Sequence, residues 1–193
     1  MNFQKLAEKV PKWYHFPVYQ SIWFNGEQIV KGGRDDMSKR MSLIRKEDIK
    51  GKTIIDIGCN LGAASFWAIE DGAKWCEGID VVPEGIELAN KIAKELKVNC
   101  SFKVADFGVP QIKNGDVAFC FACHDDIAKE DPKKQKVLLD NLKQYPVIYF
   151  ETHLKGTFDN WDIPKLIKDN FNCEYLGETG EGGYFTRDFY RLT

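Results

Sequence analysis

The stretch Thr53-Ile54-Ile55-Asp56-Ile57-Gly58-Cys59-Asn60-Leu61-Gly62 joins a short β-branched run to a glycine turn, and from Ala63 onward the composition is helical. Ile54, Ile55 and Ile57 read as a strand buried on both faces, the pattern of a parallel sheet covered by helices. Gly58 and Gly62 free the backbone to bend tightly and pass close to a ligand. A second apolar run, Glu77-Gly78-Ile79-Asp80, ends in an acid about 20 residues beyond the first glycine, at the tip of the next expected strand. A carboxylate there is placed to accept hydrogen bonds from ribose hydroxyls, so the corner reads as a nucleotide site.

Glycine spacing separates two cofactor classes that share this layout. A dinucleotide fingerprint needs G-x-G-x-x-G so that a pyrophosphate can sit on the helix N-terminus, and here Asn60 occupies the middle position. That argues against a nicotinamide oxidoreductase. Asp56-x-Gly58-x-Asn60-x-Gly62 instead resembles motif I of the class I S-adenosylmethionine-dependent methyltransferases, D/E-x-G-x-G-x-G, with Asn for the central glycine. Asn tolerates left-handed backbone angles better than most residues, so the replacement is mild. The resemblance implies a three-layer Rossmann-like α/β fold with a mostly parallel seven-stranded sheet and an antiparallel C-terminal strand. It implies S-adenosyl-L-methionine as cofactor, Asp56 near its amino-acid end, Asp80 on the ribose and Val81 lining the adenine pocket. Asp106, after the third strand, matches the acid that bonds the adenine amino group, and Phe107 the apolar neighbour packed on the ring. A turn-forming role for Asp106 stands beside that one, because Asp106-Phe107-Gly108 precedes Pro110.

Strands and helices alternate along the rest of the chain. Expected strands are Thr53 to Ile57, Trp75 to Asp80, Ser101 to Ala105, Asp116 to Cys123 and Val147 to Glu151. Expected helices run from about Gly62 to Asp71, Pro83 to Lys97, Pro132 to Leu142 and Ile163 to Asn170. Two aromatic-rich runs, Cys173 to Leu176 and Tyr184 to Arg191, flank Gly180, Gly182 and Gly183, which permit a hairpin and an antiparallel strand at the sheet edge.

The 193 residues, 44% hydrophobic, suit one compact domain. It divides into an N-terminal cap or lid over residues 1–50 and a cofactor-binding domain over 51–193. With 27 basic and 29 acidic residues the formal charge is −2, so no global field draws the chain to nucleic acid or membrane. No apolar run approaches the ~20 residues of a membrane span, and the first residues lack a secretory core, which makes the cytoplasm the expected address. The six cysteines read as buried thiols. Cys120-Phe121-Ala122-Cys123-His124 matches the C-x-x-C-H haem-attachment pattern, but it closes an apolar strand in a chain without an export signal. A zinc site would need a second Cys or His pair at ligand spacing, and none is present.

The first 50 residues concentrate aromatics, Trp13, Tyr14, Phe16, Tyr19, Trp23 and Phe24, ahead of Gly32-Gly33-Arg34 and Arg40. Segments with a Gln, a G-x-R-like turn and a further Arg ahead of motif I occur in a subgroup similar to the tRNA wobble-uridine carboxymethyl-transfer enzymes. Arg34 and Arg40 carry guanidiniums able to grip a cofactor or substrate carboxylate in two-pronged fashion, with surface salt bridges as the equal alternative. Proton-transfer candidates cluster after the fourth strand, His124-Asp125-Asp126, and after the fifth, Glu151-Thr152-His153. His153 is the first choice for general base, with Glu151 orienting it or touching substrate, and His124 is second. A divalent ion on Asp125, Asp126 and Glu151 would suit a hydroxyl acceptor, though the spacing does not require one. The acceptor expected is a small molecule; tRNA is the alternative, since exposed aromatics would stack on an unpaired base.

Overall fold

A computed structural model of the chain describes residues 2–11, 18–109, 115–124, 131–152, 163–180 and 186–193. The motif run forms β3 (Thr53–Ile57), preceded by a hairpin of β1 (Ile22–Phe24) and β2 (Glu27–Val30) and followed by β4 (Trp75–Asp80), β5 (Cys100–Val104), β6 (Val117–Phe121), β7 (Val147–Glu151), β8 (Cys173–Thr179) and β9 (Arg187–Leu192). The helices are α1 (Phe3–Ala7), α2 (Met37–Ser42), α3 (Ala63–Glu70), α4 (Pro83–Leu96), α5 (Pro132–Leu142) and α6 (Ile163–Asn170).

Local chemistry sets the helix ends. α3 leaves Gly62 in the left-handed region at φ +85° and is followed by Gly72 at φ +93°. Pro83 starts α4, whose Ile86, Ala89, Ile92 and Ala93 are buried on one face. Asp131 caps α5 by accepting from Lys133 N at 2.8 Å.

The large sheet has seven strands in the order β5-β4-β3-β6-β7-β9-β8. β3 pairs in parallel with β4 and β6, and β6 with β7, whereas β9 runs antiparallel to both β7 and β8. The antiparallel strand is therefore not at the edge, as the hairpin reading has it. β9 inserts between β7 and β8, and β8 forms the rim. Side chains alternate across the sheet: Ile54, Phe119, Tyr149 and Phe189 join one apolar cluster, and Ile55, Ile57, Ala118, Ile148 and Tyr190 join the other. The first cluster lies under α3 and α4, the second under α5 and α6, through Leu138, Leu142 and Ile167.

Residues ahead of β3 belong to the first cluster. Val18, Ile22, Val30, Met37, Met41, Ile44 and Ile49 are buried in it together with Ile54 and Phe66. α1 packs on α4 and β2, the hairpin on α3, and α2 also on α3. Strand order reverses at β3, whose chain successor β4 lies to one side and β6 to the other, and a crevice opens there at the strand carboxyl ends. Among the described residues no helix is long and apolar enough to cross a membrane.

Candidate active site

A cavity of about 250 Å³ occupies that crevice. Asp56 to Leu61, Asp80, Val81, Asp106 and Phe107 line it on the sheet side. In the turn after β3, Gly58 N and Cys59 N both donate to Ile79 O, at 2.9 and 3.0 Å. Gly58 sits at φ +69° and Asn60 at φ +52°, so the residue in the central motif position adopts the left-handed geometry that its side chain tolerates. Packing also requires the glycines. A Cβ on Gly58 would lie 2.6 Å from Cys123 Cβ, and one on Gly62 would lie 2.5 Å from the Phe102 ring.

The carboxylate at the tip of β4 ties the turn to its own strand. Asp80 Oδ2 accepts from Asn60 N at 2.9 Å and Oδ1 from Val82 N at 3.1 Å, and the group still borders the cavity. Asp106 Oδ1 accepts from Gly108 N at 2.7 Å in a turn, and the residue lines the cavity. Phe107 is buried beside it, Val81 is half exposed, and Asn141 Nδ2 on α5 donates to Phe107 O at 2.9 Å. Asp56 is buried and accepts from Ser65 Oγ at 2.6 Å. Burial pushes its carboxyl up to about 6, with the Ser65 hydrogen bond and the Arg40 charge opposing and Asp80 reinforcing the rise.

The opposite wall comes from residues ahead of β3 and from β9: Tyr19, Gln20, Met37, Arg40 and Arg187. Arg40 Nε and Nη2 grip Glu151 at 3.0 and 2.9 Å, and its guanidinium lies over the Phe121 ring at 5.2 Å. Arg187 Nη1 reaches the same carboxylate at 3.3 Å, and Thr179 Oγ1 donates to it as well. Arg187 Nη2 also donates to Tyr19 Oη at 3.3 Å, while Arg34 Nη1 donates to that oxygen at 2.6 Å.

Several candidates occupy other places than the sequence suggests. Glu151 is fully buried and not among the cavity-lining residues. Burial alone would raise its carboxyl, but Arg40 and Arg187 hold it below the usual range, so it anchors the two arginines. His124 is also fully buried, its ring tilted against Phe150 at 4.9 Å, and the strand expected to run to Cys123 stops at Phe121 because Ala122 turns at φ +52°. Arg34 does not line the cavity; it pairs with Asp36 and supports Tyr19. His153, Asp125, Asp126, Trp13, Tyr14, Phe16, Gly182, Gly183 and Tyr184 lie outside the described residues. Arg187 was not singled out in the sequence, where its only signal is an arginine opening an aromatic strand, Arg187-Asp188-Phe189-Tyr190. Cys120 and Cys123, the pair from the haem-like pattern, turn toward each other with Sγ atoms 3.6 Å apart, and Cys123 Sγ donates to Ile57 O at 3.1 Å.

Comparison with known proteins accords with this geometry. A Methanocaldococcus jannaschii protein that bears the name of a protein N5-glutamine methyltransferase is 37% identical over 59 residues, 31% of this chain and 30% of that protein. The bifunctional kinase-methyltransferase WbdD superposes with TM-score 0.77 at 20% identity, over 99% of this chain and 46% of the other. Magnesium protoporphyrin IX methyltransferase from Synechocystis PCC 6803, solved with bound SAM, gives TM-score 0.65 at 18% identity, over 80% of this chain and 76% of that one. The chain thus spans under a third of the first of these proteins and under half of the second. A family model described as a methyltransferase domain matches residues 48–173, and the chain belongs to that family.

Proposed function

We propose that this chain is an S-adenosylmethionine-dependent methyltransferase whose acceptor is a small molecule presenting an oxygen or nitrogen nucleophile. The observation that carries the reading is the placing of Asp56, Asp80 and Asp106 around one crevice at the switch point of the sheet. The residues fit that cofactor. Three carboxylates beside the glycine turn suit a cationic, phosphate-free nucleoside and would repel a pyrophosphate. In this reading Asp80 holds the ribose diol, Asp106 the adenine amino group, Val81 and Phe107 the ring, and Asp56 the ammonium end, with Gly58, Asn60 and Gly62 shaping the turn.

When bound, the cofactor supplies a methyl group already activated by a sulfonium. What remains for the protein is to position an acceptor in line and exclude water. Tyr19, Gln20, Met37 and Arg40 wall the cavity opposite the turn, and that enclosure supports a compact acceptor over a nucleic-acid stem.

Incubation with methyl-labelled cofactor and a cell extract, followed by size separation, tests the acceptor class. Label is expected in the small-molecule fraction. Label in a ribonuclease-sensitive fraction, lost steeply with added salt, would replace the small acceptor by RNA.

A further inference from the structure

The Tyr19 phenol oxygen receives hydrogen bonds from two guanidiniums, Arg34 at 2.6 Å and Arg187 at 3.3 Å, and the residue forms part of the cavity wall. The Arg34 guanidinium also lies 5.4 Å from the Tyr19 ring centroid. Three guanidiniums, Arg34 and Arg40 from the N-terminal segment and Arg187 from β9, meet two carboxylates, Asp36 and Glu151, and both carboxyls are held below their ordinary range by those arginines despite burial. Two guanidiniums that donate to one phenol oxygen favour its anionic form. Asp56, Asp80 and Lys134 of α5 also line the cavity, and the Arg40 charge acts on Asp56.

We infer that Tyr19 is the general base of the reaction, its phenolate oxygen taking the proton of the acceptor. The inference deepens the methyltransferase reading and rests on it for the methyl donor. As the acceptor's oxygen or nitrogen bonds to the methyl carbon, the carbon–sulfur bond breaks with its electron pair left on sulfur, and the acceptor's proton passes to Tyr19 Oη. Arg34 and Arg187 are positioning residues that hold the phenolate and the angle of its ring. Electrostatics agree in direction: burial would raise the phenol, but the charges of Arg187 and Arg34 and their hydrogen bonds outweigh it and lower it from the ordinary value. A phenol held below its ordinary value gives up its proton more readily and so presents more phenolate at a given pH. This assigns the proton-transfer role to a wall of the cavity that the strand-end histidines do not reach in the case of His124.

The test is an ultraviolet titration of tyrosinate on the full chain, alone and saturated with S-adenosylhomocysteine, for the natural protein, Tyr19→Phe and Arg34→Gln. One of the seven tyrosines is expected to ionise below the ordinary range in both states. That transition should vanish in Tyr19→Phe and move upward in Arg34→Gln. A Tyr19→Phe titration superimposable on that of the natural protein overturns the inference. So does a transition that returns to ~10 once S-adenosylhomocysteine binds, because the arginines would then be paired with the ligand's carboxylate and not with a phenolate. Failure of S-adenosylhomocysteine to bind at all would strike the cofactor reading itself and leaves the titration of Tyr19 readable on its own.

Discussion

Asp56 is a buried acid beside a serine, and its chemistry makes the cavity proposed for the cofactor sensitive to pH. Its carboxyl rises from 3.8 to about 6 on folding, chiefly through burial. Between those values the folded chain holds more proton than the unfolded one, so stability declines as pH rises through the window and reaches its full penalty above about 6. The penalty is on the order of 2–3 kcal/mol as an upper bound. Asp56→Asn keeps the shape of the protonated acid and should melt higher than the natural protein at neutral pH, with the difference closing toward pH 4 in thermal melts. A difference independent of pH would mean that the carboxyl titrates normally. The ammonium end of a bound cofactor would favour the charged acid, so S-adenosylhomocysteine affinity should rise with pH through about 6 in the natural protein and stay flat in Asp56→Asn.

At the scale of elements, β7 and β9 are joined to α2 by the carboxylate of Glu151. Removing it leaves Arg40 and Arg187 buried and uncompensated, so Glu151→Ala should lose about 3–5 kcal/mol in urea denaturation, and Glu151→Gln, which keeps an oxygen acceptor, should lose less. A loss under about 1 kcal/mol would show that water screens the pair. This role was not legible in the sequence, where Glu151 stands at a strand tip two positions before a histidine. Alternation and caps announce the elements: β3, α3, β4, α4 and β7 fall within a residue or so of where periodicity, Pro83 and Gly72 put them. Partnership between strands is another matter. Nothing in the run Tyr184 to Arg191 says that it pairs with β7 before β8, since either order buries the same alternate residues. Ala122 likewise gives no warning of a positive φ, yet that turn carries His124 away from the crevice and under Phe150. One readable signal was hidden by its neighbours: Asn25-Gly26, at φ +50° and +74°, is the two-residue hairpin turn between β1 and β2, set among aromatics that draw attention to stacking.

For the molecule as a whole, the described residues ahead of β3 both bury apolar side chains in the core and line the cavity. Ile22, Val30, Met41 and Ile44 are buried in the same cluster as Ile54 and Phe66, and Tyr19 and Arg40 complete the cavity. A chain beginning at residue 51 should therefore aggregate or unfold without a cooperative transition, because the apolar face of α3 would meet water. A truncated chain that melts cooperatively and loses only ligand affinity would show that this segment acts as a lid alone. The cavity reads as a site for a methyl-donor nucleoside, and calorimetric titration with S-adenosylhomocysteine tests that most directly. The account predicts saturable binding at one ligand per chain, weakened by about 1–3 kcal/mol in Asp80→Ala as the ribose loses its acceptor. Absence of binding, or saturable binding of a nicotinamide dinucleotide in its place, would contradict it.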